Sequence, residues 1–88
     1  MLAAEQLADL GDAVKGVGPG TSPAVKASLA VKVRIAELFV AHGKNHAACL
    51  TLTAFNLEVR ALSGKKIPAP QATKLIADAT RIKTVLGC

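Results

Sequence analysis

The stretch that decides the fold is residues 49–88, CLTLTAFNLEVRALSGKKIPAPQATKLIADATRIKTVLGC, which begins and ends with the two cysteines of the chain. Apolar residues recur in it at three- and four-residue spacing, and the GKKIPAP segment interrupts this period once. The pattern predicts two helices joined by a short connection, and such helices pack antiparallel. Cys49 near the start of one helix and Cys88 at the end of the next then lie at the same end of the pair. We therefore predict a Cys49–Cys88 disulfide.

The same apolar period, punctuated by glycine, proline and serine, predicts four helices in the whole chain. They are expected at about residues 3–15, 23–42, 45–63 and 69–86. Ser22 followed by Pro23 is typical of a helix start. Gly43 is expected just beyond the second helix, and Asn45 is expected as the N-cap of the third. The predicted fold is all-α, a small antiparallel bundle of four helices closed by one disulfide.

The chain of 88 residues is long enough for one domain. Residues 22–88 are expected to form the core bundle. Residues 1–20 are expected to attach more loosely, as a first helix followed by a flexible glycine-rich loop that is the only plausible hinge. The predicted inward positions are Ala3, Leu7, Leu10 and Val14; Val25, Leu29, Val33, Ala36 and Val40; Ala48, Leu52, Phe55 and Val59; and Ala72, Leu75, Ile76, Ala79, Ile82 and Leu86.

Composition narrows the class of protein. Half of the residues are apolar, but the only aromatic residues are two phenylalanines, so the core is built from aliphatic side chains. No apolar run reaches the roughly 20 residues that a membrane-spanning helix needs. The first residues lack the cationic and apolar segments of a signal peptide, so an exported form would be a mature piece or an excised domain. The net charge of +5 permits attraction to polyanions, or it serves only to keep the surface solvated.

From Ser28 to Cys88 the chain resembles a C-terminal helical module of secreted and cell-surface bacterial proteins, the FIMAH domain, in a version with a cysteine pair. The residues that carry the resemblance are Ser28-Leu29, Lys32-Val33, Ala47-Ala48-Cys49, Leu52, Ala54-Phe55, Val59, Ser63-Gly64-Lys65-Lys66-Ile67-Pro68, Ala72, Leu75-Ile76, Ala79, Ile82 and Val85-Leu86-Gly87-Cys88. They span about two thirds of the chain. The resemblance implies an extracytoplasmic accessory domain without a catalytic role.

The function expected from the sequence is therefore that of a non-catalytic accessory or interaction module of an exported bacterial protein. It would act as a C-terminal cap, spacer or docking domain, outside the cell or on its surface. Its partner would be a neighbouring domain of the same polypeptide, another protein or a second copy. The alternative is a module that binds an anionic polymer, such as a glycan or a cell-wall component, through a basic face. No enzyme activity, cofactor, nucleic acid or membrane span is expected.

Two kinds of chemistry are weighed against this reading. His42 and His46 lie near the expected disulfide, and two histidines with two thiolates are a possible zinc set, but the spacing matches no zinc motif. We expect no metal site. No pair of carboxylates is spaced for acid–base catalysis, and no serine lies in a nucleophile elbow, so we expect no catalytic residues.

Two groups of residues are candidate binding sites. Val31, Ile35 and Leu38 lie opposite the inward stripe of the second helix, and Leu50 and Leu57 do so on the third, where Asn56-Leu57 reverses the order expected from the resemblance. The first three either pack under the first helix or form an exposed patch that binds a partner. The candidate anion-binding residues are Arg60, Lys65, Lys66 and Lys74.

Overall fold

A computed structural model of the chain describes residues 2–18 and 20–88. Within these ranges the chain forms four α-helices and no β-strand. The helices are α1 (Ala3–Lys15), α2 (Pro23–Ala41), α3 (Asn45–Leu62) and α4 (Ala69–Val85). Every predicted helix boundary lies within one residue of the observed one, and the all-α fold is confirmed. No helix in the described ranges combines the length and apolarity that crossing a membrane requires.

The four helices pack in a closed ring. Helix α1 contacts α2, α2 contacts α3, α3 contacts α4, and α4 contacts α1. Hydrogen bonds between α3 and α4 join Thr53 to Lys83 and Asn56 to Thr80. Thr53 precedes Asn56 along α3, whereas their partners occur in the reverse order along α4. The two helices are therefore antiparallel. In such a ring each helix turns one apolar stripe towards the common axis and leaves its opposite side to solvent.

The core is aliphatic around a single aromatic ring. Phe55 is fully buried near the centre of α3, and Ile67 is fully buried between α3 and α4, where it closes one end of the bundle. The other fully or almost fully buried aliphatic residues are Leu7, Leu10, Val14, Leu29, Val33, Ala36, Ala48, Leu52, Val59, Ala72, Leu75, Ala79 and Ile82. All of these were among the predicted inward positions, so the helical period locates the core correctly. Helix α1 contributes three of them and is thus packed into the bundle.

The residues predicted to begin and end the helices do so in the structure, with one exception. The Ser22 hydroxyl accepts a hydrogen bond from the Val25 N–H at 3.3 Å, as an N-cap does. Gly43 has φ +71° and ends α2. The prediction that Asn45 caps α3 is wrong, because Asn45 is the first residue of that helix and Lys44 is the cap. The Lys44 N–H bonds back to the Phe39 carbonyl at 2.8 Å, so the end of α2 and the start of α3 share this residue.

Cys49 and Cys88 are joined by a disulfide, with their Cα atoms 6.3 Å apart. Cys88 reaches Cys49 because the chain reverses at Gly87, which has φ +88°. The Cys88 N–H then bonds to the Lys83 carbonyl at 3.0 Å, and the Gly87 N–H bonds to the Thr84 carbonyl at 3.1 Å. This is the glycine-ended helix stop that points the following side chain back over the last turn. The predicted disulfide is confirmed.

We predict that replacing both cysteines, Cys49→Ala with Cys88→Ala, lowers the free energy of unfolding by about 4 kcal/mol. This is the chain-entropy contribution expected for a closed loop of roughly 40 residues. The measurement is equilibrium urea unfolding followed by far-ultraviolet circular dichroism. Wild-type protein kept in reductant is the control and should lose a similar amount. An unfolding midpoint that neither change moves would contradict the prediction.

Candidate functional site

The outer sides of α2 and α3 carry large aliphatic side chains that the core does not use. Ile35 is 39% exposed, and the other four are between 52% and 59% exposed. The set is Val31, Ile35 and Leu38 on α2 with Leu50 and Leu57 on α3, and we call it the apolar face. All five are the partner-binding candidates chosen from the sequence.

The alternative that Val31, Ile35 and Leu38 pack under the first helix is wrong. Helix α1 lies on the other side of α2, where Gly11 is placed against Val33. A groove of about 370 Å³ runs between these two contacting helices, and it is lined by Ala8, Gly11, Asp12, Lys15, Ala30, Val33, Arg34 and Glu37. Because the ring is closed, α2 has α1 on one flank and α3 on the other. Its outermost residues therefore have no helix to cover them.

An ion pair between α2 and α3 sets the register of the apolar face. Lys32 Nζ lies 2.9 Å from Glu58 Oε1, and the Ser28 hydroxyl donates to Glu58 Oε2 at 2.8 Å. Residues near 31 on α2 are therefore at about the same height as residues near 57 on α3. Since the helices are antiparallel, Val31 stands near the level of Leu57 and Leu38 near that of Leu50. The face thus runs along both helices, and the Lys32–Glu58 ion pair lies between the two helices that carry it.

A second surface lies at the end of the bundle where α2 and α4 begin. Arg60, Lys65 and Lys66 are exposed there, and Lys26, near the start of α2 at the same end of the bundle, is partly exposed. These four side chains, which we call the basic pole, have no carboxylate partner in the part of the chain that the structure describes. The sequence singled out three of them for an anion site. It grouped Lys26 with the other basic residues of the second helix, because only the fold shows which helix ends meet.

Lys74 differs from the other predicted anion-binding residues. Its Nζ lies 3.0 Å from Asp78 Oδ2, one turn further along α4. Arg81 Nη2 contacts the other oxygen of the same carboxylate at 3.2 Å. Lys74 therefore lies at the same end of the bundle as the basic pole, but Asp78 offsets part of its positive charge.

A tight turn between α3 and α4 holds Lys65 and Lys66 in place. The Leu62 carbonyl accepts hydrogen bonds from the N–H groups of Lys65, Lys66 and Ile67, at 3.0 to 3.1 Å. Gly64, with φ +75°, provides the left-handed residue that this turn requires. The buried Ile67 side chain anchors the turn in the core. The two lysines therefore stand on a fixed backbone.

The loop between α1 and α2 is attached to this turn. The Thr21 hydroxyl donates to the Lys66 carbonyl at 2.7 Å, and the Gly18 N–H donates to Gln71 Oε1 at 2.9 Å. Val17 and Thr21 are both buried. The expectation of a free hinge at residues 16–20 is not met by the described residues of the loop, while Pro19 lies outside them. The sequence did not predict these two hydrogen bonds, because no sequence pattern links Thr21 to Lys66 or Gln71 to Gly18.

The structure gives little support to metal or acid–base chemistry at the residues considered. Both cysteine sulfurs are bonded to each other, so they offer no thiolate to a metal ion. His42 and His46 are exposed. Among the described residues, no three histidine, cysteine, aspartate or glutamate side chains gather in one place. The α1–α2 groove mixes two acidic and two basic side chains with alanine and glycine, and no serine, cysteine or histidine lines it.

No protein-family model, curated protein or solved structure matches the chain significantly. The resemblance to FIMAH-like domains therefore remains a prediction from the residues quoted above. The two surfaces must be interpreted from their own geometry.

The link between the two loops gives a testable prediction. Thr21→Val keeps the shape of the side chain but leaves the Lys66 carbonyl without its donor, so stability should fall by about 1 kcal/mol. The matched control is Thr73→Val, which removes only an exposed bond to the Ala69 carbonyl within α4. Urea unfolding of both variants measures the difference. Equal stabilities would show that the loop contact contributes nothing.

Proposed function

We propose that this chain is a non-catalytic accessory module of an exported bacterial protein, and that it acts as a docking domain through the apolar face. A cap or spacer role for the rest of the bundle is compatible with this. The observation that carries the proposal is the exposure of five large aliphatic side chains on two adjacent helices. Large aliphatic side chains exposed together on neighbouring helices are typical of surfaces that contact other proteins.

The occupant that fits the apolar face best is a second copy of the chain. The bundle measures 36 × 20 × 19 Å, so one long side offers an area comparable with the ~800 Å² that each partner buries in a standard interface. On the two antiparallel helices Leu38 matches the height of Leu50, and Val31 matches that of Leu57. A copy related by a two-fold axis can therefore set the aliphatic side chains of one α2 against those of the other α3, which is the self-complementary contact of a two-fold dimer.

Charge also permits contact between copies. Lys32 and Glu58 form an ion pair between the two helices of the face. The excess positive charge is concentrated at the basic pole, at one end of the bundle. Arg34 is exposed beside this face and has no ion-pair partner among the described residues, so a contact between copies must leave the two Arg34 side chains at its edge.

Export is supported by the disulfide, since such bonds persist in oxidising compartments and are rare where thiols are kept reduced. The absence of catalysis is supported by the ion pairs of two carboxylates, since Glu58 contacts Lys32 and Asp78 contacts Lys74 and Arg81. Both carboxylates join side chains within the bundle.

The test is sedimentation equilibrium of the wild type and of Ile35→Asp. The wild type should self-associate equally in low and high salt, because burial of apolar surface drives the contact. Ile35→Asp should weaken association at least about tenfold, since it would bury an unpaired charge. The matched control is Ala77→Asp, which adds the same charge at an exposed position of α4 and should associate like the wild type.

Leu57→Asp provides a second variant on the neighbouring helix, in case Ile35→Asp disturbs the fold. Circular dichroism and thermal melting establish that each variant is folded. Wild-type protein that stays monomeric at all concentrations would contradict docking between copies. Association that disappears in high salt, or that Ala77→Asp weakens equally, would contradict the role of the apolar face.

A further inference from the structure

The chain distributes its charge very unevenly. Residues 13–30 and 59–77 contain six of the 11 basic residues and none of the six acidic ones. The antiparallel ring brings the two segments together, because α1 and α3 end where α2 and α4 begin. The basic pole lies in the middle of this region, and Lys15 and Lys74 flank it. Two helix starts and two helix ends meet there, so the helix dipoles largely cancel and the side chains determine the field.

The carboxylates next to the two basic segments do not pair with the pole. Glu58 is paired with Lys32, Asp78 lies between Lys74 and Arg81, and Asp12 lies beside Lys15 in the α1–α2 groove. Lys26, Arg60, Lys65 and Lys66 are left without acidic partners among the described residues. An unpaired cluster of cations attracts a polyanion and concentrates it at the surface.

The cations stand on a fixed framework. The turn that carries Lys65 and Lys66 is closed by three hydrogen bonds to the Leu62 carbonyl. The Lys66 carbonyl also accepts the Thr21 hydroxyl, one residue before the cap of α2, and so ties the start of α2 to the same turn. The backbone that positions Lys26 is thus linked directly to the backbone that positions Lys66. A prearranged surface loses less entropy on binding than a mobile one.

The surface around the pole narrows the class of polyanion. Proteins that bind single-stranded nucleic acid without sequence preference stack bases on aromatic side chains, but Phe55 is buried and Phe39 lies towards the other end of α2. Anchoring in a membrane surface needs apolar side chains beside the cations. The exposed large aliphatic residues are Leu2, Val31, Ile35, Leu38, Leu50, Leu57 and Val85. None of them belongs to the two basic segments, and only Leu57, one turn before Arg60, lies next to a residue of the pole. The pole therefore offers charge and hydrogen-bond donors without a stacking platform and with a single apolar side chain at its edge.

We propose that the basic pole binds an acidic polysaccharide, whose repeated carboxylate or sulfate groups pair with Lys26, Arg60, Lys65 and Lys66. The cations are spread over a turn and two helix ends, which suits a linear chain of regularly spaced charges better than one small anion. This surface lies at an end of the bundle and the apolar face runs along its side. Glycan binding can therefore be tested, and disproved, without any assumption about docking between copies.

The experiment measures binding of immobilised heparin and of polygalacturonate, which separate sulfate from carboxylate recognition. The test variant is Lys65→Gln with Lys66→Gln, and the matched control is Arg34→Gln with Lys44→Gln. Arg34 and Lys44 are exposed and outside the pole, so both double variants lower the net charge equally. Loss of two exposed ion pairs should weaken binding about five- to tenfold in the test variant and leave the control within about twofold of wild type. Binding to either polymer should weaken as salt rises.

Three results would overturn the proposal. The first is the absence of binding to both polymers at low salt. The second is an equal loss in the two double variants, which would mean that only the net charge matters. The third is tighter binding of duplex DNA, or of phosphatidylglycerol vesicles, than of either polysaccharide at the same salt. Thermal melting of each variant establishes that lost binding does not reflect lost folding.

Discussion

The covalent link between Cys49 and Cys88 is the constraint on which the rest of the bundle depends. A chain of this size buries a modest core, and here the core holds one aromatic ring among small and medium aliphatic side chains. The disulfide fixes α3 and α4 at one end, while the buried Ile67 and the turn around it fix them at the other. Helices α1 and α2 then pack against a pair whose separation and direction are already set.

Both proposed interaction surfaces follow from this arrangement. The ring covers one stripe of each helix and leaves the apolar residues on the outer sides of α2 and α3 exposed. The cations lie at the loop end because both segments without acidic residues pass through it. The two proposals therefore depend on different residues and different forces, apolar burial along the side and charge attraction at the end.

Much of the fold was predictable from local patterns. The three- and four-residue spacing of apolar residues located the core, and Ser22 and Gly43 marked helix ends because their chemistry acts within a single turn. The disulfide followed from helix order and a short connection. Asn45 was misassigned because the last turn of α2 takes over the capping position, which depends on the backbone path between the helices.

The candidate sites were only partly predictable, because they depend on contacts between distant residues. Sequence identified the apolar face residues but left open whether α1 covers them, which only the closed ring decides. It identified the lysines of the α3–α4 turn but not that Lys26 lies at the same end of the bundle, nor which carboxylate engages Lys74. The attachment of the α1–α2 loop through Thr21 was likewise invisible, since its partner lies 45 residues away.

The most direct test of this account is to determine the state of the two sulfurs. The protein would be secreted into an oxidising compartment, unfolded without reductant, treated with a thiol-alkylating reagent and digested with a protease. The account predicts no alkylation and one pair of linked peptides that contain Cys49 and Cys88. Full alkylation of both cysteines would show that they are free thiols, and would contradict the covalent closure from which the bundle and its two surfaces have been derived.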